Sequence, residues 1–239
     1  MTDGPYEAYR DWKGWTSEDF GKCNAESAVY FGKELGRCGF PSLADVKVIE
    51  LGFGNGAFAA WASAAGARYL GVEAIPDLVQ IGRDAGFDVA LSGQPLATLV
   101  GSTLADLVVA FDVFEHLDTG VLRQTLEDVR ECLRRGGRVV GRVPSGDSPF
   151  ARAVQHGDLT HRTVLGSSAI RQLAGWTGFT VASVRSPVLP LHGGGAASFL
   201  RRMLVSTTRA VAYPVITKVL MGGGHPVLTP DLLFVLLKP

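Results

Sequence analysis

Two groups of residues in this chain could do chemistry. The first is the run Glu50-Leu51-Gly52-Phe53-Gly54-Asn55-Gly56, with Glu73 following 21 residues after Gly52. Glycines at alternate positions between a strand and a helix let the backbone turn sharply and approach a ligand closely. A carboxylate at the end of the next strand can accept two hydrogen bonds from ribose hydroxyls. Together they fit a nucleoside. The spacing is not the Gly-x-Gly-x-x-Gly of dinucleotide sites, where a helix N-terminus faces a pyrophosphate. An acid two residues before the loop suits a cationic or amino-bearing ligand instead. Taken singly, the loop could be a tight connection and Glu73 a solvated strand-end residue.

The second group is built on histidine, whose unperturbed pKa of about 6.5 suits proton transfer near neutrality. His116 follows the segment Asp112-Val113-Phe114-Glu115, and His156 and His161 flank Gly157-Asp158-Leu159-Thr160. The run from His156 to Thr163 is polar, has no apolar periodicity and reads as a loop. Removing a proton from a hydroxyl nucleophile is work for such a group, typically worth about 10²–10⁴-fold. The alternatives are a structural helix-start residue for His116 and a merely hydrogen-bonded loop for the other two. A metal on His156, Asp158 and His161 is disfavoured, because that spacing fits no helix face. His192 and His225 lie at glycine-rich ends and receive no role.

The elements that position these groups follow a repeating pattern. Strands are expected at Val46–Leu51, Tyr69–Glu73, Phe87–Leu91, Asp106–Phe111, Arg138–Val143, Phe179–Val184 and Leu232–Leu237. Helices are expected at Ala57–Ala65, from Pro76 to Gly86, through Leu122, Leu126, Val129 and Leu133 to a Gly136-Gly137 stop, and from Ser167 to about Ala174. At least one amphipathic helix precedes the first strand, around Ser27–Leu35. Alternation of this kind implies parallel strands with helices on both faces of one sheet. His116 and the His156–His161 run then sit past strands four and five, at the carboxyl edge where open parallel sheets bind ligands. Residues 186–230 break the rhythm with prolines, two Gly-Gly-Gly runs and a helical stretch from about Ala197 to Val211.

At these residues the chain resembles the class I S-adenosylmethionine-dependent methyltransferases. The resemblance rests on Glu50-x-Gly52-x-Gly54-x-Gly56, Glu73, Asp112-Val113-Phe114-Glu115-His116-Leu117, and Gly136-Gly137-Arg138-Val139-Val140 before strand five. It covers roughly residues 44–186, with Leu232–Leu237 as a final strand. It implies an α/β, Rossmann-like fold: a seven-stranded, mostly parallel sheet with helices on both faces and the last strand antiparallel. By it, Gly52, Gly54 and Gly56 wrap the methionine part of S-adenosylmethionine, and Glu50 acts near its amino group through water or backbone. Glu73 holds the ribose, and backbone at Ala110, Phe111 and Asp112 lines the methionyl end. Many members carry an acid after strand three that meets adenine; here the segment reads Ala90-Leu91-Ser92-Gly93-Gln94-Pro95-Leu96, leaving Gln94 or a backbone group to substitute.

The Gly157-Asp158-Leu159-Thr160-His161 run looks similar to that of methyltransferases associated with polysaccharide and sugar pathways, as does the pattern Ser167, Ser168, Leu173, Gly178 and Phe179 after it. That resemblance implies His161 as first choice for base or substrate ligand, Asp158 to orient it, and His116 second. The reaction implied is O-methylation of a small molecule such as a sugar. A nicotinamide-dependent reductase and a non-catalytic nucleoside-binding module are the competing readings. Residues 1–43, rich in aromatics such as Tyr6, Tyr9, Trp12, Trp15 and Phe20, are expected to form a helical lid, or else to pack on the sheet edge. Residues 44–239 form the methyltransferase domain, interrupted by the insert at about 186–230.

Composition sets the remaining bounds. The chain has 239 residues, with 23 basic against 23 acidic side chains. Zero net charge gives no global pull toward nucleic acid. The strand-four exit is also not the Asn/Asp-Pro-Pro-aromatic tetrapeptide of base methylation, so no nucleic-acid partner is expected. Three cysteines are too few for a disulfide framework. The N-terminus has no basic stretch or apolar run, and the apolar run at Leu232–Leu237 is far short of the ~20 residues needed to cross a bilayer. A cytoplasmic protein without stable membrane insertion is expected. Within the insert, Arg201, Arg202, Arg209 and Lys218 stand with no acid between Val184 and Asp231. The insert is expected to be a homodimer face or a cap over the acceptor pocket; its charge would also suit a phosphorylated or lipid-linked acceptor, or an anionic membrane surface.

Overall fold

The structure is a computed structural model that describes residues 9–221 and 223–239. Tyr6, one of the aromatics expected in the lid, lies outside the described residues. The chain opens with α1 (Tyr9–Trp12) and α2 (Ala25–Arg37). Asn24 caps α2, its side chain accepting from the Ser27 N–H at 2.8 Å. α2 buries Phe31, Glu34 and Leu35, so one stripe of this helix belongs to the core.

The alternating part follows as β1 (Lys47–Leu51), α3 (Ala57–Ala64), β2 (Arg68–Glu73), α4 (Pro76–Asp84), β3 (Val89–Leu91), α5 (Leu96–Val100), β4 (Ala105–Phe111), α6 (Thr119–Cys132) and β5 (Leu133–Pro144). Then come α7 (Arg152–Gly157), α8 (Ser167–Thr177), β6 (Thr180–Arg185), α9 (Ala196–Val215) and β7 (Asp231–Leu237). The strands form one sheet in the order β3-β2-β1-β4-β5-β7-β6. β1 pairs in parallel with β2 and β4, and β7 runs antiparallel between β5 and β6. The expected Rossmann-like sheet with an antiparallel final strand is present.

Alternation along the strands divides the core in two. Val48, Tyr69, Leu107, Val109 and Val140 pack with α2 and α3 on one face; Ile49, Leu51, Val108, Ala110 and Val139 pack with α6 and α8 on the other. Fully burying each Leu or Ile here is worth about 1.5–3 kcal/mol. The chain order reverses between β1 and β4. Their carboxyl ends therefore open a crevice, the usual place for a ligand in such sheets.

Four local expectations need correction. α6 ends at Cys132, not at Gly136-Gly137. Leu133 is already extended and pairs with Ala105; the two glycines lie in an irregularity of β5, where the Gly136 N–H donates to the Lys238 carbonyl at 2.8 Å. The short helix α5 was hidden by a five-residue length that shows no periodicity. His156 is in α7 rather than in a loop, though Asp158 to Thr163 is irregular as expected. α9 continues through Pro214 and runs into a π-turn at Ile216–Leu220, which accommodates the backbone bond that proline cannot make.

Candidate active site

The loop after β1 is held open by backbone conformation. Gly52, Gly54 and Gly56 have φ of 67°, 52° and 72°, all in the left-handed region. A Cβ on Gly52 would lie 2.5 Å from Val113, and one on Gly56 would lie 2.7 Å from Phe20, so neither position has room for a side chain. The Gly52 N–H donates to the Val72 carbonyl at 2.7 Å, tying the loop to β2.

Glu73 ends β2 directly across from this loop. Its Oε2 accepts from the Gly54 N–H at 3.2 Å, and its Oε1 from the N–H groups of Ala74 and Ile75 at 2.7 and 3.2 Å. Burial pushes its pKa up, against the pull of those three donors. Glu50 is buried inside the loop's base and accepts from the Tyr69 hydroxyl at 2.6 Å. Burial raises its carboxyl to about 8; the Tyr69 bond opposes this and the neighbouring Glu73 charge adds to it.

Phe111 closes β4 and stacks on Phe31, ring centroids 5.8 Å apart. Asp112 follows with φ 59° and accepts from Arg142 Nε at 2.9 Å, with a second bond from the same guanidinium. The guanidinium also sits over the Tyr30 and Phe111 rings, 5.5 Å from each centroid. Arg142 and Tyr30 carry no sequence signal of their own. Arg142 becomes visible only as the β5 residue paired with Phe111.

These residues line one cavity of about 670 Å³. Its wall includes Glu50, Gly52, Gly54, Glu73, Phe111, Asp112 and His116, together with Tyr9, Lys13 and Trp15 from the N-terminal stretch. Gly56 is not on the wall; it turns the chain into α3 instead. After β3 the lining residue is Ser92 rather than Gln94. Such volume falls in the range of ordinary small-molecule sites, about 300–1,000 Å³.

The acceptor-side residues meet beside His116. Thr160 Oγ1 donates to Asp158 Oδ1 at 2.5 Å and lies 2.8 Å from His116 Nδ1. With its proton on Asp158, the Thr160 hydroxyl accepts from Nδ1–H of His116, which fixes the tautomer and leaves the imidazole lone pair on Nε2. Burial lowers the pKa of His116, as does the adjacent His161; Asp158 partly opposes them. Burial alone would raise Asp158, but the Thr160 hydroxyl and N–H outweigh it and hold this carboxyl low.

His161 stands behind His116, ring centroids 4.6 Å apart, with Nδ1 3.0 Å from the Gln155 carbonyl. Its Nε2 is 3.8 Å from Asp158 Oδ2 and 4.0 Å from Glu115 Oε1. Of the two histidines, His116 reaches the cavity wall and His161 does not. Glu115 is 1% exposed, and neither carboxylate oxygen has a hydrogen-bond partner among the described residues. Burial first, and then the Asp112 charge, raises its pKa well above the carboxylate range. One ligand atom each from Glu115, His116 and His161 lies within 4.8 Å of the others, a spacing that could hold a metal ion. Glu115 was quoted in sequence only as part of a motif, because its burial is a tertiary fact.

The N-terminal stretch bridges the two sides. Trp15 lies over Gly54, where a Cβ would come within 3.0 Å of the indole. The Tyr9 hydroxyl donates to Asp158 Oδ2 at 3.2 Å, and Lys13 Nζ is 3.5 Å from the same oxygen.

Several solved structures share this architecture. One is a SAM-dependent methyltransferase from Archaeoglobus fulgidus, 16% identical, TM-score 0.58, covering 88% of this chain and 94% of the other. Magnesium protoporphyrin IX methyltransferase from Synechocystis, with bound SAH, is 15% identical, TM-score 0.57, covering 97% and 94%. The 1,6-didemethyltoxoflavin-N1-methyltransferase of Burkholderia thailandensis is 16% identical, TM-score 0.53, covering 97% and 84%. At these identities the likeness establishes the fold. No curated protein matches the sequence. The family described as "Methyltransferase domain" matches residues 9–184, from α1 almost to the end of β6. That span is well over half the chain, which therefore belongs to the methyltransferase-domain family.

Proposed function

We propose that the protein transfers a methyl group from S-adenosylmethionine to a hydroxyl of a small molecule, with a sugar or related metabolite as acceptor. The observation that carries this reading is a single cavity whose wall holds a glycine loop and a strand-end carboxylate on one side and a tautomer-fixed histidine on the other. When bound, the cofactor supplies an electrophilic methyl on a sulfonium sulfur.

The residues present fit that group. Glu73 accepts the ribose hydroxyls with lone pairs left over from its backbone donors. The loop from Gly52 to Gly54 gives the methionyl part a surface without side chains, and Gly56 sets the turn. Glu50 lies where an ammonium would draw it into the ionised form. Phe111 and Asp112 lie beside the loop at the end of β4, and Ser92 offers a polar contact beyond β3.

On the acceptor side, His116 takes the hydroxyl proton as the new bond forms. Neutral imidazole is the form that its burial favours. Thr160 and Asp158 orient His116, and His161 supports the same carboxylate from behind. The geometry thus favours His116 over His161 as the group nearest the reacting atoms. Tyr9, Lys13 and Trp15 cover the cavity as a lid and exclude water that would compete for the methyl. The sugar assignment draws its support from the Gly157–His161 run.

The test pairs two measurements on His116→Ala: calorimetric titration with S-adenosylhomocysteine, and turnover against a panel of hydroxylated acceptors. Unchanged nucleoside affinity with lost turnover supports the reading. Absence of any binding by the unmodified protein refutes it.

A further inference from the structure

The insert presents a surface that methyl transfer does not use. α9 is tied to the domain along one side: Arg202, 4% exposed, donates to the Pro190 carbonyl at 2.5 Å and pairs with Glu26. Pro190 and Glu26 both line the cavity, so the helix is anchored to its rim. At about 100° per residue, Phe199, Met203, Leu200, Val211, Leu204 and Val215 fall in one arc of roughly 160°, away from Arg202. All six are exposed. The π-turn continues the apolar surface with Val219 and Leu220, 72% and 76% exposed. Half a turn of exposed large apolar side chains is far beyond the scattered singles of an ordinary surface.

The charge on this segment has one sign. Arg201 and Lys218 are exposed and Arg209 is half-buried, and no acid occurs from 186 to 230. A two-fold pairing of this face with itself would set like charges against each other with no carboxylate in the segment to answer them. An anionic lipid surface supplies both what the arc lacks and what the cations need. No helix among the described residues is long and apolar enough to cross a membrane. A strong apolar face with cations beside it is the pattern of a helix lying in the plane of the interface.

We propose that α9 and the π-turn dock onto an anionic lipid bilayer, with the apolar arc in the boundary between headgroups and acyl chains. Arg201 and Lys218 meet the headgroups, and Arg202 holds the docked helix against the rim of the cavity.

The experiment is sedimentation of the full-length protein with phosphatidylcholine vesicles, with and without phosphatidylglycerol, at low and high salt, alongside light scattering of the protein alone. Binding to the phosphatidylglycerol vesicles that high salt weakens is expected. Arg201→Gln with Lys218→Gln should weaken it tenfold or more, from about 1 kcal/mol per cation near the surface. Leu200→Asp with Leu204→Asp should abolish it while leaving the circular-dichroism spectrum and melting temperature in place. If the aspartate pair unfolds the protein, the exposed cation pair carries the test alone. No binding to anionic vesicles overturns the proposal, as does equal binding to phosphatidylcholine. A dimer that Leu200→Asp dissociates, without vesicle binding, assigns the face to a second copy instead.

Discussion

Along the glycine loop the backbone itself makes the surface: three left-handed glycines, a carboxylate held by three N–H groups, and a strand-to-strand bond from Gly52 to Val72. Across the cavity, side chains make it. His116 comes from the turn after β4, Asp158 and Thr160 from the segment after α7, and Tyr9 from the chain's start. The first side is local and rigid, set by a run of few residues. The second is assembled from three distant stretches, and its chemistry depends on which proton sits on which nitrogen. Nucleoside affinity and turnover should therefore respond to different residues.

Changing His116 to Ala gives the largest expected effect: turnover falls by about 10²–10⁴-fold, and calorimetric affinity for S-adenosylhomocysteine stays close to that of the unmodified protein. Parallel loss of both would erase the division between the two sides. Glu73→Ala comes next, with nucleoside affinity lower by about 1.5–3 kcal/mol, the range for hydrogen bonds to a charged group. Glu73→Gln, which keeps one acceptor for the loop, should lose less.

Acid should then separate the sides without mutation. Burial and His161 lower the pKa of His116, and the neutral ring is the working form. Turnover should fall as pH drops through an apparent value below His116's ordinary 6.5. Asp158 raises that pKa, so Asp158→Asn should move the acid limb further down. A limb that stays in place would remove Asp158 from the relay.

Glu50 offers a smaller, calorimetric signal. With its pKa near 8, the free protein holds a proton there at pH 7. An ammonium arriving beside it favours the carboxylate, so nucleoside binding should release up to one proton. The dependence of binding heat on buffer ionisation enthalpy reads this directly, and Glu50→Gln should cancel it. The smallest expected effect is none: dialysis against a chelator should leave turnover unchanged, because the proposed base is an imidazole. Loss restored by a divalent cation would hand the role to an ion on Glu115, His116 and His161.

The same contrast explains what could be read without coordinates. The strands were legible because buried parallel strands are continuous apolar runs, and the glycine loop because its spacing is contiguous. Glu73 followed from its place at a strand end. On the acceptor side, His116, Asp158 and His161 were visible as residue types, but their ranking was not. Which ring faces the cavity depends on how two turns pack, and that is a tertiary outcome. Thr160 stood in a quoted run without a role, since a hydroxyl relay has no sequence spacing. Arg142 was hidden as an outward residue in a buried strand. The end of α6 was misplaced for a related reason: paired glycines are the commonest stop signal, yet here they serve an irregularity in the next strand.

The Tyr9 hydroxyl bond to Asp158 ties the segment covering the nucleoside to the carboxylate that orients the base. Covering and orienting are thereby one event. A vacant nucleoside half leaves Trp15 and Tyr9 less constrained, and the relay loses a partner. Steady-state kinetics should accordingly show a compulsory sequence, methyl donor on first and its spent form off last.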